Sequence, residues 1–349
     1  MPSILKKKQL WGSLIAIILL GYCLKDIRLS DMENLAHRVN FYYLLPALAM
    51  EFAMIIFKAL RWQTIVEKTK KIGVFRIISL FSAGQVLNIV MPALTGQVGR
   101  LLLFAKKEGL SKSYVFSTIV IEILFDSISL MIFIFGLSMA SFVLPPEYRS
   151  LTYIIAVATA LLIIVLYLFL HYQEAAGRRL RGLLRGRWPG FYITLRKFGK
   201  SFSRGLELLR SSHYFLRTLL LSLCAWASHV IVIYFLFKAF GFDLPLIPAI
   251  VVMVINTVAL MIPITPGNAG TFELAVVATL MAFKKIVRSD AVLFSLALHV
   301  LDLIPIFVLG FFFLHSERMT LKELEAEGEK ERFLDQDNAD GLSVTEEKT

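Results

Sequence analysis

The amino-acid sequence predicts an all-α fold: a polytopic integral membrane helical bundle of about six full spans, plus two Pro/Gly-broken helical hairpins related as an inverted repeat. Three observations carry this. Of 349 residues 57% are hydrophobic and only 18% charged, and mean hydropathy is +0.70, more apolar surface than a water-facing domain needs for its core. The basic residues are gathered in short segments between apolar runs. One Pro/Gly spacing occurs twice, in segments too interrupted to be simple spans.

The elements follow in chain order. Lys6, Lys7 and Lys8 precede an apolar stretch from Leu10 to Leu24. No small-x-small cleavage pattern follows Leu24, so this reads as an uncleaved first helix with its N-terminus inside. Further full spans fit Phe41–Leu60, Tyr114–Leu144, Tyr153–His171, Tyr214–Phe240 and Ala291–Leu314, each able to supply the ~20 apolar positions of a crossing. Residues 1–316 thus form one transmembrane domain, and 317–349 an acidic cytoplasmic tail, partly disordered after a short helix. In that tail Asp335–Gly341 imitates a calcium loop but sets its glycine one place late and lacks the closing Glu. The segment 172–213 carries Arg178, Arg179, Arg181, Arg185, Arg187, Arg196, Lys197, Lys200, Arg204 and Arg210 against Glu174 and Glu207. The positive-inside rule makes it a cytoplasmic loop, whose Gly/Arg-rich first half, with Trp188 and Phe191, is either solvated or resting on anionic headgroups.

The net charge of +11 is concentrated in such loops and not spread over a soluble face, which sets nucleic acid aside as a partner. Cys23 and Cys224 lie within apolar runs and fit small buried hydrophobes. With no Cys/His ligand spacing, neither a metal nor another cofactor is expected.

The repeat is the most specific pattern. Pro92-x-x-x-Gly96-x-x-Gly99 lies within Ile77–Ala105, and Pro263-x-x-x-Gly267-x-x-Gly270 within Leu246–Phe283. Asn88 and Asn256 precede the two motifs, and Asp126 and Asp302 sit in the apolar helices that follow. Interruptions at corresponding places in two halves of a chain point to discontinuous helices at a transport site. Broken backbone at membrane depth is tolerated only inside protein or beside a wet cavity. Ordinary turns at the membrane surface are the plainer explanation of either motif alone. Counting spans from the inside N-terminus, the first hairpin lies between cytoplasmic charges, Arg61–Arg76 before it and Lys106 and Lys107 after it, while the second starts from outside. The repeats are therefore inverted, with Lys284, Lys285 and Arg288 outside, against the rule. Re-entrant and fully spanning hairpins both fit.

Ionisable residues inside spans cost about 2.5–3.5 kcal/mol each and so mark function or pairing. Glu122 and Asp126, four apart, share a helix face, as do His299 and Asp302, three apart. Arg100 follows Gly99 at what the motif predicts to be the positive end of a helix dipole. It requires an anion there: Glu122, Asp126 or a lipid phosphate. Glu273 stands in the first turn after Gly270, where a carboxylate suits the dipole. Lys58 and Arg61 lie one turn apart near a helix end, placed for snorkelling or for phosphate contact. His229 and His299 read as polar packing groups, with proton coupling as the alternative. The substrate-binding candidates are Arg61, Asn88, Pro92, Gly96, Gly99, Arg100, Asn256, Pro266, Gly267, Gly270 and Glu273. Glu51, Glu122, Asp126 and Asp302 are the candidates for charge balance or proton coupling.

Leu60-Arg61-Trp62, the run Asn88-Ile89-Val90-Met91-Pro92-Ala93 leading to Gly96 and Arg100, and the run from Pro263 through Pro266-Gly267-Asn268-Ala269-Gly270 to Glu273 resemble the transmembrane domain of lysylphosphatidylglycerol synthases. That domain also exists as stand-alone, flippase-like membrane proteins of bacteria and archaea. The likeness spans residues 10–315, and Pro-Gly-x-x-Gly-x-x-Glu is its most specific part. It implies a lipid-translocating bundle in the cytoplasmic (inner) membrane of a prokaryote, with both termini in the cytoplasm. In the synthases a separate soluble domain performs aminoacylation. Gln97 stands where relatives often carry Glu, so no carboxylate role passes to that position. The few residues after the last helix leave no room for an aminoacyl-transferase domain, and the expectation is the membrane half alone.

Three functions fit. The first is a flippase for an anionic phospholipid or lipid-linked precursor, with membrane lipids as partners and a separate lipid-modifying enzyme upstream. With no Walker A sequence, its energy would come from an ion gradient, a substrate gradient or a partner. The second is a membrane-embedded transferase acting on lipid phosphates, for which no catalytic, nucleotide or metal signature is present. The third is a non-transporting subunit of a lipid-modifying system.

Overall fold

The computed structural model describes residues 14–25, 37–90, 94–139, 153–154, 156–169, 171–172, 189–260, 265–283 and 286–316. Pro92, Pro263, Lys284, Lys285, the first half of the basic loop and the acidic tail lie outside them. The regular elements are helical. They are α1 (Leu14–Leu24), α2 (Leu44–Val66) after a 3-10 turn at Phe41–Tyr43, α3 (Val74–Val90), α4 (Leu94–Glu108), α5 (Lys112–Met139) and α6 (Ala156–Phe169). Then come α7 (Pro189–Leu206), a 3-10 turn at Glu207–Arg210, α8 (Ser212–Ala239) and α9 (Leu246–Ala259). A 3-10 turn at Pro266–Asn268, α10 (Thr271–Ala282) and α11 (Arg288–Ser316) complete the order.

Phe41–Val66, Lys112–Leu137, Ser212–Ala239 and Arg288–Phe312 are long and apolar enough to cross a bilayer. Of the other two expected full spans, α1 and α6 are described only as shorter apolar helices. The hairpin arms α3, α4, α9 and α10 reach about 18–26 Å at 1.5 Å per residue, short of the ~30 Å hydrocarbon core. Outward-facing side chains such as Phe135 and Phe312 are apolar and 64% and 72% exposed, as lipid contact requires.

The repeat is architectural. In the first half α2 packs on α3, α3 on α4 and α4 on α5; in the second, α8 packs on α9, α9 on α10 and α10 on α11. Contacts between the halves pair off as a two-fold relation demands: α3 with α11 matches α9 with α5, and α2 with α11 matches α8 with α5. On the axis, α2 packs most extensively against its own counterpart α8, and the two run antiparallel. Asn40 N–H donates to the Ala239 carbonyl at 2.8 Å, His229 meets Glu51 at 2.8 Å, and Arg217 pairs with Glu67 at 2.9 Å. One half is therefore inverted relative to the other.

Small residues set the closest approaches. A methyl group on Gly310 of α11 would stand 2.5 Å from Val86 Cγ2 and 3.0 Å from the Ser82 carbonyl oxygen of α3. The Gly/Arg-rich first half of the basic segment lies outside the described residues, and the second half is a helix packed on the bundle. Helix α7 docks on α5, burying Phe202 and Leu206, with Phe202 6.0 Å from Phe116, and leaves Arg196, Lys197, Lys200 and Arg204 exposed. Its apolar residues recur at helical spacing, which lets one face pack while the basic face stays wet.

Gly310→Val is expected to lower thermal stability in detergent micelles, by about 1–3 kcal/mol of overpacking. A melting temperature equal to that of the unaltered protein would show that α3 and α11 are free to part.

Candidate functional site

Among the described residues, and besides Glu108 held by Lys70 and Arg76, buried ionisable side chains form three groups at or beside the contact of the two halves. In the first, Arg61 of α2 is 2% exposed. It ion-pairs through Nη1 with Asp126 of α5, lies 3.7 Å from Glu122 Oε1 and donates to Ser222 Oγ of α8 at 3.2 Å. Arg100 of α4, 5% exposed, donates to Glu122 Oε2 at 2.6 Å. Its guanidinium stacks over Phe81 and Phe104, 4.8 and 5.3 Å from the ring centroids. Gly84 makes room for its stem, since a methyl group there would lie 2.9 Å from Arg100 Cγ. Two guanidiniums thus face two carboxylates, and Nε of each arginine is buried without a partner. Trp226 of α8 donates Nε1–H to Asp126 at 2.9 Å, and Lys58 Nζ sits 4.6 Å from the centroid of the Trp226 ring.

The second group lies about 15 Å further along α2, ten residues at 1.5 Å each. There Glu51, fully buried, meets His229 of α8 at 2.8 Å. Asp302 Oδ1 of α11 stands 3.8 Å from the same His229 Nδ1.

The third group closes the second helix break. Gly267 and Gly270 adopt φ of 58° and 85°, a left-handed region in which glycine carries no Cβ penalty. The Gly270 N–H donates to Glu273 Oε2 at 2.6 Å, so the carboxylate satisfies an end of α10 that lipid could not. Glu273 Oε1 lies 2.6 Å from His299 Nδ1, and His299 Nε2 lies 3.1 Å from the Gly267 carbonyl. Both ring nitrogens of His299 thus face acceptor oxygens. Phe272 stacks on His299 at 4.3 Å. The break touches the first hairpin, because a methyl group on Gly267 would lie 3.5 Å from Ile89 Cγ2.

The structure corrects several sequence expectations. Arg61 does not snorkel, because two carboxylates and a serine receive it inside the bundle. Arg100 does not open a helix: α4 already begins at Leu94, so Gly96, Gly99 and Arg100 stand on regular helix, and its requirement for an anion is met by Glu122. Gly96 serves close packing, since a methyl group there would come within 2.7 Å of Asn88 Cα. His299 and Asp302 share a face but serve different groups. Pro266 opens the 3-10 turn. Asn256 is buried with Oδ1 unpartnered, and no hydrogen bond among the described residues joins it to the three groups. Pro92 lies outside the described residues. Sequence reading passed over Gly84, Ser222 and Trp226. The signal for the last two was their i,i+4 spacing on α8, with His229 one turn on.

Removing one member of a buried pair strands the other. Arg61→Met is expected to cost about 3–5 kcal/mol of stability, with Arg61→Met/Asp126→Leu recovering much of it. Denaturant unfolding in mixed micelles measures both, and simple additivity of the two single changes would refute the pairing.

The chain is similar to a UPF0104 membrane protein of Methanothermobacter thermautotrophicus, 22% identical over 277 residues, covering 74% of this chain and 81% of that protein. No solved structure matches. The sequence profile of the lysylphosphatidylglycerol synthase TM region matches residues 9–310, a stretch that includes all three buried groups and both hairpins. The chain belongs to the lysylphosphatidylglycerol synthase TM region family.

Proposed function

We propose that this membrane protein moves an anionic phospholipid or lipid-linked precursor between the leaflets of a prokaryotic cytoplasmic membrane, with both termini in the cytoplasm. The observation that carries the reading is the row of buried ionisable groups between two inverted halves, from Arg100 and Glu122 through Arg61, Asp126 and Lys58 to Glu51, His229 and Asp302. Helix packing alone does not call for charges at this depth, each costing about 2.5–3.5 kcal/mol on insertion. A passing headgroup does.

Arg61 and Arg100 supply the cationic surface. Asp126, with its side chain 26% exposed, is the accessible partner that a phosphate would displace. A phosphate matches the guanidinium fork as a carboxylate does, so the guanidinium would not be left unpaired as it exchanges one anion for the other. Rocking of the halves about the α2–α8 contact would turn the site from one leaflet to the other. A separate lipid-modifying enzyme would supply the substrate.

Purified protein in liposomes with fluorescent phosphatidylglycerol is expected to give protein-dependent leaflet exchange. Arg100→Ala should slow it at least about tenfold, the equivalent of one charge-assisted hydrogen bond. Arg100→Ala/Glu122→Ala, which restores charge balance, should regain stability but not exchange. Recovery of exchange in the double variant would make Arg100 structural, and a new lipid product without exchange would favour a transferase.

A further inference from the structure

We propose that Glu51, His229 and Asp302 form a proton-binding site that couples lipid movement to the proton gradient, an inference that rests on the transport reading above. The three come from α2, α8 and α11, so the site lies where the antiparallel central pair meets the helix that holds the second break. One ligand atom from each lies within 4.8 Å of the others. Glu51 Oε1 forms a hydrogen bond with His229 Nδ1 at 2.8 Å, and the Glu51 and Asp302 carboxyls lie close enough to share another. Among the described residues no donor serves Glu51 Oε2 or Asp302 Oδ1, and both are buried. Glu51 is fully buried, so bulk solvent does not reach its orphaned oxygen.

Two carboxylates this close, away from water, do not both remain ionised without a compensating cation. One neighbouring cation acts on both carboxylates: Lys58 of α2, which also lies on the Trp226 ring and shares its charge with Asp126, so a single ammonium stands against more than one carboxylate. Arg61 of α2 is held by Asp126 and Glu122 of α5, and His299 of α11 is held by Glu273 of α10. Helix α3 offers only Arg76, bound to Glu108, and α9 has no ionisable residue. The remaining charges of α8, His213, Arg217 and Lys238, stand at its ends. A metal ion fits less well. Closed zinc sites take four ligands and calcium sites six or more, while three donors are present and the imidazole nitrogen already has a partner.

Loading is the addition of one proton from water to the Asp302 carboxylate. The Asp302 side chain is 20% exposed, against 0% for Glu51. The resulting acid donates to the orphaned Glu51 oxygen, and release reverses the step, returning the proton to water on the other side. The link to the break runs along α11. His299, which holds the Gly267 carbonyl, is one turn before Asp302. One turn after it, Pro305 has no N–H to give the Leu301 carbonyl, which lets the helix bend there.

Infrared difference spectra between acid and alkaline pH, taken on the full chain in lipid nanodiscs, test the site directly. The carbonyl stretch of a protonated carboxylic acid is expected, and expected to be lost in Asp302→Asn and Glu51→Gln but not in Asp290→Asn. His229→Gln, which should alter the band's titration, provides a second reading if either acid variant loses helicity. A band unaffected by all three changes overturns the proposal. So does stoichiometric zinc binding by calorimetry that Asp302→Asn abolishes, which would make this a metal site. In liposomes an imposed pH gradient should speed leaflet exchange several-fold, and Asp302→Asn should remove that response. Exchange indifferent to the gradient overturns the coupling. Absence of exchange under every condition, with the infrared band intact, overturns the lipid reading and leaves the proton site standing.

Discussion

A charge inside a lipid-facing bundle must find its counter-charge within the protein, and the pairing of Arg61 with Asp126 and Glu122 meets that constraint. It ties α2 to α5, and through Ser222 and Trp226 to α8. Arg100 brings in α4 by sharing Glu122. Four helices are thereby held in one register by groups that are costly to leave unpaired. The apolar packing of Trp62 on Phe104, with centroids 4.0 Å apart, fills the space beside the pairs.

The same requirement governs the backbone. A chain that leaves helical geometry at Pro266–Asn268 exposes N–H and C=O groups that hydrocarbon cannot serve. Glu273 and His299 take one of each, the Gly270 amide and the Gly267 carbonyl. The break is thus held by side chains from α10 and α11 beside the short 3-10 turn's own bonds, Asn268 N–H to the Thr265 carbonyl and Ala269 N–H to the Pro266 carbonyl.

Much was legible in the sequence because the bilayer is a severe solvent. Apolar runs, confined basic segments and a repeated Pro/Gly spacing are consequences of local chemistry; the runs stand in the structure as helices, the described basic residues of α7 as surface, and the second Pro/Gly motif as a break at Pro266–Gly270. The acids and bases of the site were legible for the same reason: a charge in an apolar run stands out. Their grouping was not. Glu51 and His229 lie 178 residues apart and Arg61 and Asp126 65 apart, and no spacing rule reaches across such distances. Gly84 went unremarked because its purpose is the room it leaves for Arg100 Cγ.

The sequence by itself determined that this is a helical membrane protein built from two inverted halves, because hydropathy, charge asymmetry and repetition are properties of the chain read in order. Tertiary structure decided which charge answers which. Arg100 looked like a helix-opening cation awaiting a ligand, and the fold placed it mid-helix against Glu122. His299 and Asp302 looked like one site and were divided between two. The physical reason is common to both cases. Neutralisation in low dielectric depends on distances of a few ångströms, and only the packing of α2 against α8 and of each half's last helix against the other half's hairpin sets those distances.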